Sequence, residues 1–379
     1  MAALFAADKT SSMKLILKKC FSILFGLLIG LIICEIVLHF YNPLPFAISK
    51  GKLVLPANQE MVFKNTWIKK LDSNIYYSRN SLGFRGPEST DSVNKLFSLI
   101  CIGGSTTECR FISDSLTWPY QLSVKIKDSL PGIWLNNAGV DGHSTFGHLL
   151  LLKEYITRLK PKYVTLLIGV NDIENDKPQQ YDVMNEKKIN YLSVKSFFKS
   201  LLNKTELGST FFQLYAIKGA YRKGLIHKEV DFAALKDTVL TEAYKSDFIK
   251  RQAIYLVQYK QRISDMIAIC KANNVTPILL TQPSLFGNFT DSATMINMGN
   301  KILPGTAPVC NAALMENVLE LYNNVVRSFG NQAKVVDLAA LMPKNSNYYY
   351  DFIHYTNAGC SKISTILAKE LIPWFKMNN

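Results

Sequence analysis

Five short apolar runs, separated by longer amphipathic stretches, constrain this chain more than any other feature of its sequence. The runs span residues 96–102, 133–138, 163–168, 275–281 and 334–338. Alternation of short buried strands with helices is typical of a parallel sheet that is covered by helices on both faces. The pattern therefore predicts an α/β chain with a three-layer α/β/α, flavodoxin-like fold of about five parallel strands.

An apolar segment near the amino terminus predicts a membrane anchor. The run covers residues 20–34 and continues past Glu35 to Phe40, which brings it to roughly the 20 residues that a helix needs to cross a bilayer. A cluster of lysines precedes it, and no small-x-small cleavage motif follows it. By the positive-inside tendency, residues 1–40 are a cytoplasmic tail and one transmembrane helix, and the rest lies in the periplasm or outside the cell. A cleaved signal sequence is the alternative.

The remaining chain divides into a linking segment and a main domain. Residues 41–95 contain prolines and asparagines without sustained helical or strand periodicity, which predicts a tether and cap. Residues 96–379 would form the main domain. The third and fourth predicted strands are much farther apart than a crossover needs. We therefore expect an insertion at about 175–245, as a lid or a surface facing the cell envelope, and then an amphipathic helix over 246–273.

The charge balance points to anionic surroundings outside the cell. The chain has 43 Lys and Arg against 29 Asp and Glu, a formal net charge of +14. Such a balance favours attraction to anionic lipids or acidic polysaccharides. The predicted location and the lack of a zinc-finger or RNA-binding signature argue against nucleic acid as a partner.

Cysteine usage predicts neither a metal site nor a disulfide framework. Two of the seven cysteines lie in the apolar segment. The other five are Cys101, Cys109, Cys270, Cys310 and Cys360. No Cys-x-x-Cys pair occurs, so we expect no metal and no cofactor, and at most one disulfide.

Polar and glycine residues follow the ends of three predicted strands. Ser105 follows the first in Gly-Gly-Ser-Thr, Gly139 follows the second, and Asn171 follows the third in Gly-Val-Asn-Asp. Working groups of a doubly wound sheet gather at the carboxyl ends of its strands. Ser105 is thus a candidate nucleophile or anion-binding residue, and Gly139 and Asn171 can offer N–H groups to an oxyanion. A tight turn at Gly139 and a helix cap at Asn171 are the structural alternatives.

A carboxylate and a histidine follow the last predicted strand. Asp351 and His354 are three residues apart, so both can face the same side of a turn. A histidine oriented by a carboxylate is what an unactivated serine needs for the removal of its proton. Together with the three preceding strand ends, this pair predicts a serine-based site.

These motifs resemble the blocks of the SGNH, or GDSL-like, hydrolase family over roughly residues 96–375. The resemblance implies that Ser105 is the nucleophile, that His354 is the general base and then acid, and that Asp351 orients the imidazole. It further implies an oxyanion hole from Ser105, Gly139 and Asn171. The stretch Asn-Ser-Leu-Gly-Phe-Arg-Gly-Pro-Glu, residues 80–88, looks like the entry segment of membrane-anchored bacterial members.

The sequence departs from the commonest family motif at the two positions beside the serine. The commonest serine block has Asp before the serine and Leu after it, whereas this chain has Gly104 and Thr106. The departure leaves the type of substrate open more than the catalysis.

The expected function is that of a membrane-anchored serine esterase that removes acyl or acetyl groups from a cell-envelope glycan or lipid. An O-acyltransferase that uses the same triad and a non-catalytic envelope protein that binds glycan are the alternatives. His143 is a weaker candidate for a substrate contact. Arg85 and Arg110 are either ordinary solvated charges or contacts to an acidic group, and the tyrosines at 348–350 either line a sugar site or pack at an edge.

Overall fold

The computed structural model describes residues 2–41, 48–49, 52–53, 55–178, 182, 202, 204–222, 227–306 and 309–378. Its strands are β1 (Ile48–Ser49), β2 (Lys52–Leu53), β3 (Gln59–Lys64), β4 (Asn74–Arg79), β5 (Phe97–Gly103), β6 (Ile133–Asn137), β7 (Tyr163–Ile168), β8 (Thr276–Thr281) and β9 (Lys334–Val336). Its α-helices are α1 (Ala2–Phe40), α2 (Ser105–Glu108), α3 (Trp118–Lys127), α4 (Thr145–Leu151), α5 (Thr157–Leu159), α6 (Glu206–Arg222), α7 (Glu242–Ala272), α8 (Ala312–Arg327), α9 (Leu338–Leu341) and α10 (Asn357–Met377).

The last five strands form one parallel sheet in the order β6–β5–β7–β8–β9. This confirms the predicted flavodoxin-like sheet and its five strands. Every residue of the central β7 is buried. Helices α3 and α10 pack against each other, and α7 and α8 pack against each other and on β8. Because both faces of the central strands are covered, those strands are continuous apolar runs without alternation.

Side-chain caps set where the long helices begin. Thr241 accepts a hydrogen bond from the N–H of Tyr244, so α7 starts at Glu242, four residues before the predicted start at 246. Asn311 caps α8 and Thr356 caps α10 in the same way. The prediction of one long helix before β8 is confirmed, and the cap was the missed signal.

A hairpin occupies part of the segment in which the sequence analysis found no strand periodicity. Strands β3 and β4 pair antiparallel, with Gln59 opposite Arg79. After β4, Arg85 exchanges two backbone hydrogen bonds of 2.9 Å with Asn137, at the end of the edge strand β6. The side chain of Asn80 donates to Asn136 Oδ1 at 2.9 Å. The segment therefore adds backbone hydrogen bonds at the edge strand β6. The sequence did not predict this pairing, because the strands of the hairpin are short and only partly buried.

The chain divides into two compact units, residues 1–54 with 185–218 and residues 55–184 with 219–379. The predicted boundaries at residues 40 and 95 stay a prediction. Much of the expected insertion at 175–245, including residues 183–201, lies outside the described residues.

The amino-terminal unit contains a stretch suited to a membrane. Residues Ile16–Phe40 are 25 residues with a mean hydropathy of 2.7, and none of that stretch is buried. A transmembrane helix and a signal sequence both have these properties. The apolar helix was therefore expected correctly, while its passage through a membrane remains a proposal.

Within the same unit, Glu35 has a structural partner. Its carboxylate accepts hydrogen bonds from the backbone N–H groups of Glu206 at 2.7 Å and Leu207 at 2.9 Å. It thus caps the amino terminus of α6, where a negative charge is favoured. This contact gives a physical reason for the acidic residue in the apolar run.

Shortening a side chain of the central strand tests the sheet. Leu166 in β7 is fully buried, and Leu166→Ala should lower the free energy of unfolding by about 2–5 kcal/mol because it leaves a cavity. Val257→Ala is the control, since Val257 is 72% exposed and should change stability by less than about 0.5 kcal/mol. Denaturant unfolding of the detergent-solubilised chain measures both, and equal losses would contradict the fold.

Candidate active site

Ser105 lies where β5 turns into the short helix α2. A Cβ on Gly103 would lie 2.1 Å from Thr107 Oγ1, so glycine is needed for this turn. Ser105 is 6% exposed. Within the part of the chain that the structure describes, its N–H has no hydrogen-bond acceptor, as is usual in the first turn of a helix. Both the hydroxyl and the N–H are therefore available at one point.

Asp351 and His354 form a continuous hydrogen-bonded line with Ser105. Asp351 Oδ2 lies 2.6 Å from His354 Nδ1, and Asp351 Oδ1 accepts from the His354 backbone N–H at 2.7 Å. Burial raises the pKa of Asp351, but the neighbouring imidazole and the backbone N–H groups of Ile353 and His354 together lower it below its ordinary value. An ionised carboxylate only accepts, so the proton of the neutral ring sits on Nδ1. His354 Nε2, 2.8 Å from Ser105 Oγ, is left to accept from the hydroxyl.

Asn171 is held beside Ser105 through one of its two side-chain N–H groups. Nδ2 donates to the carbonyl oxygen of His143 at 2.8 Å, which leaves the other N–H without an acceptor among the described residues. A Cβ on Gly104 would lie 2.5 Å from Asn171 Nδ2 and 3.0 Å from the His143 oxygen. The glycine that departs from the family pattern is therefore the residue that admits the amide.

Gly139 has a different hydrogen bond from the one expected. Its N–H donates to Asn137 Oδ1 at 2.9 Å and is not open to a substrate oxygen. The reason is that Asn137, the last residue of β6, turns its side chain back over the bend. A Cβ on Gly139 would lie 2.3 Å from the Glu108 backbone nitrogen. In this structure the glycine serves the close packing of this turn on α2.

Two other predicted contacts are buried and serve the framework. His143 has no exposed surface, and burial lowers its pKa to about 4, so its neutral ring is not a substrate contact as placed. Arg85 is 4% exposed and donates from Nη1 to the backbone oxygens of Glu108 and Cys109, at the carboxyl end of α2. It is thus neither a solvated charge nor a substrate contact, because a helix end needs donors for its last carbonyls.

The tyrosine run packs inside the fold. Tyr349 and Tyr350 are buried, and the Tyr350 ring is parallel to that of His354, with centroids 5.5 Å apart. This favours the packing alternative over a sugar site at these two residues. Arg110 remains partly exposed, with its guanidinium 5.5 Å from the centre of the Phe63 ring.

A buried acidic residue missed by the sequence analysis connects the hairpin to α2. Glu108 is 2% exposed, and its Oε1 accepts from Arg79 Nη2 and from the Tyr77 hydroxyl, each at 2.9 Å. Its Oε2 accepts from the backbone N–H of Asp141 at 2.6 Å. Burial raises the pKa of Glu108, but Arg79, Arg110 and the Tyr77 hydroxyl together lower it below its ordinary value, so the carboxylate stays charged. This one carboxylate therefore links the hairpin β3–β4 to the turn after β6.

A second histidine beside the site was also missed. His227 Nε2 lies 3.2 Å from Asp141 Oδ2, and the rings of His227 and His354 have centroids 4.1 Å apart. No carboxylate stands three residues before His227 in the sequence, so it lacks the local spacing that marked Asp351 and His354. Its partner is 86 residues away, and no local pattern announces such a pair.

Comparison with models of known protein families identifies the family of this chain. A model of the GDSL-like lipase/acylhydrolase family matches residues 101–361, which is well over half of the chain. The chain belongs to this family. It is a GDSL/SGNH-type ester hydrolase, as its sequence predicted. A search of the curated proteins found no match.

Solved structures of similar fold include esterases and lipases. An acetylxylan esterase from Geobacillus stearothermophilus is 15% identical, with a TM-score of 0.41, and the match covers 74% of this chain and 96% of that one. A GDSL-like lipase from Bacteroides thetaiotaomicron is 14% identical, with a TM-score of 0.37, and the match covers 76% and 91%. The likeness concerns the fold and says nothing of this hydrolase's substrate.

A surface depression of about 610 Å³ lies elsewhere on this hydrolase. Lys271, Gly330 and Trp374 are among the residues that line it, and it contains none of the predicted site residues. It lies near the start of β8 and β9, whereas Ser105 follows the end of β5. In a parallel sheet all strands start on one side and end on the other. The depression and Ser105 therefore lie at opposite ends of the strands.

Breaking the buried ion pair tests the link between the hairpin and α2. Arg79→Met should destabilise the hydrolase by about 3–5 kcal/mol, because it leaves the Glu108 carboxylate buried without its partner. The double variant Arg79→Met/Glu108→Leu should lose less than Arg79→Met alone. Denaturant unfolding measures both. A double variant that loses as much as Arg79→Met, or more, would show that the cost does not come from an unpaired Glu108 carboxylate.

Proposed function

We propose that this hydrolase is a serine esterase that acts through Ser105, His354 and Asp351. The observation that carries the proposal is the unbroken line of hydrogen bonds from Asp351 through both imidazole nitrogens to Ser105 Oγ. Such a line supplies a nucleophile, a base and a group that orients the base.

The proposed reaction starts with attack of Ser105 Oγ on the ester carbonyl carbon, while His354 Nε2 takes the hydroxyl proton. The Asp351 carboxylate stabilises the imidazolium that forms. The tetrahedral intermediate collapses as the alcohol leaves with the proton from Nε2, and an acyl group stays on Ser105. Water then attacks the acyl-enzyme with His354 again as base, which releases the acid and restores the serine.

The oxyanion of the intermediate would accept from two free donors, the Ser105 N–H and the second side-chain N–H of Asn171. Gly139 would be the third donor, as the family resemblance implies, once its N–H is released from Asn137. Catalytic hydrogen bonds often take their final geometry only when substrate is bound, and release of the Gly139 N–H would be a change of this kind.

The proposed substrate is a small acyl or acetyl ester on a cell-envelope glycan or lipid. Ser105 is 6% exposed, and a small acyl group is proposed because it is the acyl group that needs the least space beside the hydroxyl. The net charge of +14 favours an acidic surface around the enzyme.

Replacement of the proposed nucleophile tests the mechanism. Ser105→Ala and His354→Ala in the detergent-solubilised chain should each lower kcat/KM for p-nitrophenyl acetate by roughly 10³-fold or more. Ser115→Ala, at an exposed serine, is the matched control and should keep full activity. Three variants of equal activity would refute the serine mechanism. Addition of an acceptor oligosaccharide separates hydrolysis from transfer, since acetylated sugar by mass spectrometry would identify an acyltransferase.

We also propose that residues 1–40 anchor the enzyme, with the amino terminus in the cytoplasm and the catalytic unit outside it. The apolar stretch Ile16–Phe40 and the lysines before it support this orientation. Alkaline phosphatase fused after residue 41 should be active, because it folds only after export, and β-galactosidase fused there should be inactive. The reverse pattern would place the enzyme in the cytoplasm.

A further inference from the structure

A second carboxylate–histidine pair lies directly against the proposed base. The rings of His227 and His354 have centroids 4.1 Å apart and are tilted by 40°. The His227 side chain is 10% exposed, whereas that of Asp141 is 41% exposed. Neither residue makes a hydrogen bond to Ser105, so the pair has no place in the proton transfers described above.

The hydrogen bonds of His227 assign its protons. Asp141 only accepts, so Nε2 donates to it, at 3.2 Å from Oδ2. Nδ1 lies 2.7 Å from the Tyr350 hydroxyl, which can either donate or accept. Burial raises the pKa of Tyr350 well above its ordinary value, so the hydroxyl keeps its proton. The ring of His227 can thus gain a proton on Nδ1 without losing either partner.

Tyr350 ties the two histidines into one packed group. Its ring is parallel to that of His354 within 8°, and its hydroxyl contacts His227. The ring of Phe111 packs against His227 with centroids 5.1 Å apart. The two nitrogens of the His354 imidazole contact Asp351 and Ser105. The rings of Tyr350 and His227 pack against the same imidazole.

We propose that Asp141 and His227 form a positioning pair, which holds the ring of His354 in the line from Asp351 to Ser105 and places a positive charge beside it. This inference rests on the proposed function of His354 as base. A cation at this position repels a second positive charge on the neighbouring ring.

The charged groups around His227 favour a positive charge on its ring. Burial of the ring lowers the pKa of His227, but the carboxylates of Asp141, Asp351 and Glu108 together raise it above its ordinary value. Burial raises the pKa of Asp141, but His227, His354 and Arg110 together lower it below its ordinary value.

The test is the pH profile of kcat/KM for p-nitrophenyl acetate with the detergent-solubilised full chain. His227→Phe keeps a ring but removes the charge and leaves the Asp141 carboxylate unpaired, and both changes favour protonation of His354. The acidic limb should therefore move to higher pH by about one unit, which is a tenfold loss on that limb. At alkaline pH the loss should be small. An unchanged acidic limb would overturn the charge effect.

A matched pair of tyrosines tests the positioning. Tyr350→Phe removes the hydroxyl that contacts His227 and should lower kcat several-fold with KM unchanged. Tyr349→Phe removes a buried hydroxyl that has no partner among the described residues, so it should leave kcat as it is. Equal kcat in both variants would overturn the positioning role.

Two further variants keep the outcome clear. If His227→Phe does not fold, Asp141→Asn takes its place, since it removes the partner that keeps His227 charged. Its acidic limb should move in the same direction by a smaller amount, and no movement counts against the pair. Ser105→Ala separates the two proposals. If it is inactive while the acidic limb of the His227 variant matches wild type, the charge effect fails and the serine mechanism stands.

Discussion

The charge of Glu108 is the interaction on which the arrangement of this site depends. It is buried one turn after Ser105, and it accepts from Arg79, from Tyr77 and from the backbone of Asp141. Three separate parts of the chain, namely the hairpin, α2 and the turn after β6, thus meet at one carboxylate. A buried charge is tolerated only when it is paired and hydrogen-bonded, so these parts cannot shift independently.

The parallel sheet supplies the second constraint. Ser105 and His354 are 249 residues apart in sequence, yet their side chains lie 2.8 Å from each other. They meet because Ser105 follows a strand and His354 follows the last strand at the same edge of the sheet. The sheet therefore brings the groups together, while local caps and glycines decide their final positions. Gly104 shows this most directly, since a larger residue would displace Asn171.

Much of the fold was predictable because it depends on local patterns. All five strands of the sheet were placed within a few residues, since buried parallel strands are short apolar runs. The hairpin β3–β4 was missed because the polarity of its residues does not follow their burial: Val62 and Tyr76 are exposed, whereas Arg79 is buried against the distant Glu108. Arg85 was misread for a related reason. A charged side chain in a loop has no local sign that it will donate to a helix end more than twenty residues later.

The amino-acid sequence is sufficient to predict the sheet, the apolar amino-terminal stretch and the positions of the serine, carboxylate and histidine motifs. Strand patterns and strand-end residues are local properties, and the chain carries them before it folds. Three features became visible only in the folded chain: the Gly139 N–H donates to Asn137, His143 is buried, and Asp141 and His227 meet beside His354. Those outcomes depend on side chains from distant segments, whose distances are set when the sheet and its helices pack together.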